Sequence, residues 1–114
     1  MLDEEFKNLS RSAIVIRGKQ PFKDWLVEHD PEMKLDEEIL QGSIYLLPDY
    51  DSVSQVQNWL KKNFKEIFDE ELYNWYTDED MWPQKRNFKM FGEWFDYSLH
   101  TMIFDTQKGF IEKF

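Results

Sequence analysis

Asp96, Ser98 and His100 carry the clearest chemistry in this chain. They alternate, so on a β-strand they point to one face. A carboxylate beside an imidazole can orient it as a general base, and the same two groups can supply two metal ligands. Each scheme lacks a member. Ser98 sits in no nucleophile-elbow context. A third metal ligand has to come from His29, Asp30 or Asp105, and Asp105 falls on the opposite face of the strand. The plainer alternative is a strand-end histidine hydrogen-bonded to a carboxylate and packed under aromatic rings. No catalytic or metal site is therefore assigned from the sequence. Asp96 and His100 are the pair on which a small hydrolase or a metal-dependent enzyme would be built.

A second constellation lies in residues 72–83, where Tyr73, Trp75, Tyr76 and Trp82 stand among Asp78, Glu79 and Asp80. One helix cannot bury Tyr73, Trp75 and Tyr76 on a single face, so at least one ring is expected to be exposed or capped by the Trp82 loop. An acid-rimmed aromatic patch suits a basic protein partner, since large rings dominate binding hot spots. The competing expectation is a satellite cluster packed under the loop that holds Trp82.

Other patterns are less specific. His29 closes a helix candidate, where an imidazolium suits the dipole, and reads as a cap rather than a ligand. The acidic runs at 36–38, 69–71 and 78–80 are consecutive. Neighbouring helix positions diverge by about 100°, so such runs read as solvated helix starts. Four separate glycines make no phosphate-cradling loop, and no cofactor is implied.

The elements that must position these residues follow from periodicity. Residues 1–11 read as a short polar helix or arm, with Leu2, Phe6 and Leu9 as a narrow stripe. Residues 12–17 form a β-branched apolar run, a strand buried on both faces and ended by Gly18. Pro21 opens a helix with Phe22, Trp25 and Leu26 inward, stopped near Asp30 by Pro31. Leu35, Ile39 and Leu40 suit one short helix closed by Gly42. Residues 43–47 are a second strand, followed by a turn in which Asp51 or Ser52 is the N-cap.

Val53, Val56, Leu60, Phe64, Ile67, Phe68, Leu72 and Trp75 then hold the helical period. A straight helix over 53–76 would run ~36 Å, against ~35 Å for a globule of this size. A bend near Asn63 or Asp69 is expected. Thr77 opens one short turn before Pro83. Asn87 caps a last helix from Phe88 to about Phe95, and residues 97–105 form the third strand. Apolar residues on both of its faces predict that this strand is central. After it, residues 106–114 add a turn or a short edge strand. The expected architecture is a single α/β domain over 1–114: a small three-stranded, mixed sheet packed against four or five helices.

Composition bounds the function classes. The chain of 114 residues has 18% aromatics and no cysteine, which removes disulfides, thiol nucleophiles and cysteine-based zinc sites. The acidic start is expected to be neither a signal peptide nor a membrane anchor, and no apolar run nears the ~20 residues of a membrane span. A cytoplasmic protein is expected. Its net charge of −9 repels nucleic acid and anionic membrane surfaces. The charge is uneven: residues 6–23 hold five bases and no acid, whereas residues 24–58 hold nine acids and one base. This pattern supports internal pairing, or an acidic surface that docks a basic partner. DNA mimicry rests on charge alone.

The motifs Pro21-Phe22-x-x-Trp25-Leu26, Trp59-Leu60, Phe64-x-x-Ile67-Phe68, Trp82-Pro83 and Phe91-x-x-Trp94-Phe95, leading to His100-x-Met102-x-x-Asp105, resemble a family of small uncharacterised bacterial proteins. The resemblance spans about residues 12–106. It implies a bacterial cytoplasmic origin and brings no activity, substrate or cofactor. The functional expectation is a non-enzymatic acidic protein that binds a basic protein partner, as an adaptor or toxin-neutralising immunity-type module. Its binding residues would be Tyr73, Trp75, Tyr76 and Trp82. The alternative is the Asp96–His100 enzyme.

Overall fold

The computed structural model describes residues 6–112. In chain order it forms β1 (Lys7–Asn8), β2 (Ser12–Gly18), α1 (Gln20–His29), β3 (Ser43–Leu47) and α2 (Val53–Tyr73). A 3-10 turn (Glu79–Met81), α3 (Phe88–Trp94), β4 (Phe95–His100) and β5 (Phe104–Asp105) follow. Among the described residues there are three α-helices rather than four or five, and both sheets are wholly antiparallel rather than mixed. One sheet has the order β3-β2-β4; the other is a small ribbon of β1 with β5.

The apolar run Ser12–Gly18 takes the middle of the larger sheet, with Ile14 opposite both Tyr45 and Leu99. The central strand is thus β2, and the 97–105 stretch is an edge. That stretch also splits. β4 ends at His100, residues 101–103 leave the sheet, and Phe104 and Asp105 pair instead with Asn8 and Lys7. The alternation of β4 explains its edge position: Phe95, Tyr97 and Leu99 face the helices, while Asp96, Ser98 and His100 face outward and are exposed.

The helices cover one face of the sheet. Val56, Leu60, Phe64, Ile67, Phe68 and Leu72 of α2 pack with Phe22, Trp25 and Leu26 of α1 and with Phe91 and Phe95. Phe68 meets Phe91 at 5.8 Å and Phe95 at 5.3 Å between ring centroids. Each fully buried side chain of this size contributes about 1.5–3 kcal/mol, so the α3–β4 junction is a major part of the core.

Local signals set most boundaries. Ser52 and Gln55 form a reciprocal capping box at the start of α2, and the Asn87 side chain accepts from the Met90 amide to start α3. Asp78, not Thr77, caps the 3-10 turn. α2 runs 21 residues without the break expected at Asn63 or Asp69. Asn63 donates to the Trp59 carbonyl at 2.9 Å within the helix, and Asp69 pairs with Arg86. The molecule reaches 48 Å along its longest axis, which leaves room for the straight helix. Residues 31–42 hold only isolated turns. Asp36 starts one, accepting from the Ile39 amide at 2.9 Å, but too few apolar residues follow to propagate a helix. Of the expected N-terminal helix or arm, residues 1–5 lie outside the described residues, and Lys7 and Asn8 are strand. Residues 106–112 add no edge strand.

Candidate functional site

Asp96, Ser98 and His100 do share one face, the open side of the sheet. Asp96 and His100 stand four positions apart on the strand, about 13 Å along the backbone, so the carboxylate does not orient the imidazole. Ser98 does so: its Oγ lies 2.8 Å from His100 Nε2. Asp96 stands opposite Arg17 of β2, and His100 stands opposite Ala13. Among the described residues, no three His, Asp or Glu side chains gather as a metal site. His29 ends α1 with its ring edge-on to Trp25 and to Tyr76.

The aromatic residues of the 72–83 segment separate into packing and surface. Tyr76 donates its hydroxyl to the Leu26 carbonyl at 2.7 Å and meets the Trp25 ring edge-on at 5.0 Å. Trp82 is 7% exposed, and its indole N–H donates to the Tyr76 carbonyl at 2.7 Å. Arg86, paired with Asp69, lies 5.5 Å from the centroids of both Trp82 and Phe68. These contacts tie the loop to α1 and α2. Trp75 is half-buried and lines a cavity described below. Only Tyr73 is largely exposed, at 55%. The four rings therefore do not form one continuous patch.

Two features were not singled out from the sequence. The first is Glu71, which is 5% exposed although it belongs to the acidic run 69–71. Burial pushes its carboxyl above the ordinary value, against hydrogen bonds from Tyr45 and Ser43 that pull it down; the charge of Glu70 adds to the rise. The Tyr45 hydroxyl donates to Glu71 Oε2, and burial together with this carboxylate drives the phenol pKa upward. Glu71 borders a cavity of about 340 Å³ whose walls include Phe22, Ile39, Leu40, Ser43 and Trp75. A helical signal for its burial existed: Glu71 follows Ile67 by four and Phe68 by three, on the buried stripe.

The second feature is the outer edge of β3. This strand pairs only with β2 among the described residues. Its outward row, Ile44 and Leu46, is 69% and 46% exposed. Edge strands are ordinarily blunted by charge, proline or a bulge. β4 follows that rule with Asp96 and His100, whereas β3 presents aliphatic side chains. Exposed acids stand before it (Asp36, Glu37, Glu38) and after it (Asp49, Asp51).

The chain matches no family model, no curated protein and no solved structure. The resemblance carried by its aromatic motifs gains no support from those comparisons, and function rests on residues and geometry. Among the described residues no helix is long and apolar enough to cross a membrane.

Proposed function

We propose that the protein is a non-enzymatic binding module that captures a basic, extended segment of another protein along β3. The observation that carries this reading is the outer β3 edge, which has no partner strand among the described residues, with Ile44 and Leu46 exposed between acidic segments. An added strand would satisfy the free backbone groups, as in β-strand addition. Its alternate apolar side chains would cover Ile44 and Leu46. Its cations would meet the flanking acids, which steer and select more than they hold. In this reading the protein works in the cytoplasm as an adaptor or immunity-type neutraliser, and its net charge of −9 disfavours nucleic acid. Tyr73 can extend the contact surface, while Tyr76 and Trp82 serve the fold.

The test is a titration of isotope-labelled protein with an alternating Lys-Val peptide of about six residues, a usual strand length. Amide shifts should centre on residues 43–47, and affinity should fall as salt rises. A Glu-Val analogue should not bind, Ile44→Lys should abolish binding, and Asp96→Ala should leave it intact. Shifts centred elsewhere, or unchanged binding by Ile44→Lys, would overturn the proposal.

A further inference from the structure

We infer that the cavity between β3 and the end of α2 binds a small organic cation, an alkylammonium or guanidinium, with Glu71 as its counter-ion. The cavity is about 340 Å³, at the lower end of the usual small-ligand range of roughly 300–1,000 Å³. Its wall mixes apolar side chains (Phe22, Ile39, Leu40, Trp75) with polar ones (Gln41, Ser43, Asn74) and two acids, Glu38 and Glu71, so a ligand there needs both an apolar part and a polar or charged one.

The charge of Glu71 selects the ligand class. Buried carboxylates are ordinarily paired with a cation. Here the hydrogen-bonding partners are the neutral hydroxyls of Tyr45 and Ser43, and the nearby charge, Glu70, has the same sign. Among the described residues no lysine or arginine lines the cavity, and Glu38 adds a further acid to its wall. An anion would be repelled, and a neutral apolar ligand would leave the carboxylate uncompensated. A cation completes the pair. Phe22 and Trp75 are in the same wall, and aromatic rings attract an ammonium or guanidinium more strongly as water is excluded.

The probes are n-butylammonium chloride and its neutral isostere n-butanol, each titrated into the labelled full chain. Butylammonium should shift the resonances of Ser43, Glu71 and the Trp75 indole saturably, about tenfold more tightly than butanol, the ratio for one modest ion pair. Glu71→Gln should erase that preference. Asn74→Trp, at an exposed wall position, should fill the cavity and weaken both probes while the fold persists. Equal affinity for the two probes in the native chain would overturn the inference, even if Glu71→Gln failed to fold. Retention of the ammonium preference by Glu71→Gln would overturn it as well. Glu71 and the Trp75 indole lie outside residues 43–47, on which peptide binding is read, so failure of one proposal is distinguishable from failure of the other.

Discussion

Replacing Tyr45 with Phe removes the hydroxyl that donates to Glu71 and keeps the ring that packs against the core. A hydrogen bond to a charged, buried group contributes about 1.5–3 kcal/mol, and one between neutral groups about 0.5–1.5 kcal/mol. At neutral pH the expected loss is about 2 kcal/mol. Unfolding entropy near the midpoint is about 2.1 cal/mol/K per residue, so with 114 residues each kcal/mol moves Tm by about 4 °C. Tyr45→Phe should therefore lower Tm by about 8 °C. In a Glu71→Gln background the same substitution should cost only about 4 °C, because the bond it removes is then neutral. The difference is the coupling between the two side chains.

The pH dependence fixes the sign for Glu71 itself. Its carboxyl is raised in the folded chain from an ordinary value of 4.5, with burial the largest cause. Such a group contributes stability that is fully present below 4.5 and is lost as pH rises through its folded value. Gln mimics the protonated acid at every pH. Glu71→Gln should thus gain on the native chain as pH climbs above 4.5, and the gap should level off once the folded carboxyl has ionised. Urea denaturation of the four proteins of the cycle from about pH 4 to about pH 8 measures both effects, a span that includes the ordinary stable range of about 5 to 8. A gap that stays flat or closes with rising pH would refute the claim that desolvation outweighs the hydrogen bonds at Glu71. A missing coupling would refute the Tyr45 contact.

Three other outcomes are expected. Ser52→Ala breaks the capping box of α2, in which Ser52 Oγ accepts from the Gln55 amide at 3.3 Å; the loss should be about 1 kcal/mol in thermal melts. Trp82→Phe keeps a ring but orphans the Tyr76 carbonyl, costing about 1–2 kcal/mol, and should leave peptide affinity unchanged; a parallel loss of affinity would return Trp82 to the binding surface. Gly42 has φ +90°, and an added Cβ would stand 2.3 Å from the Ile16 carbonyl oxygen. Gly42→Ala should cost at least about 2 kcal/mol, since the left-handed penalty alone is about 1–2 kcal/mol.

Features governed by near neighbours in the chain were legible in the sequence. Pro21 and Pro31 bracket α1, the stripe from Val53 to Leu72 marks α2, and Ser52 and Asn87 act as caps. Features set by distant partners were not. The alternation Asp96-Tyr97-Ser98-Leu99-His100 reads the same whether its polar face meets solvent or a helix layer, so edge and centre were exchanged. The chain leaves the sheet after His100 because Phe104 pairs with Asn8, almost a hundred residues earlier. The pairs Tyr76–Leu26 and Trp82–Tyr76 decide that two of the expected binding rings serve the fold. Glu71 was hidden by its neighbours: Asp69 and Glu70 made the run look solvated, whereas the helical turn places each of the three on a different side.

Strand alternation concentrates both proposed sites on one short element. In β3, Ser43 and Tyr45 point toward Glu71, and Ile44 and Leu46 point to the open side. Period-two geometry keeps the two rows apart across a single backbone layer. A cation seated on Glu71 would stiffen Ser43 and Tyr45, and through them the backbone whose outer edge an incoming strand would pair. Any coupling must be reciprocal, so a peptide held along β3 would tighten the cation to the same degree. Butylammonium titrations with and without the Lys-Val peptide decide the matter: a shared shift in both affinities joins the sites. If both affinities stay unchanged, the two rows act independently.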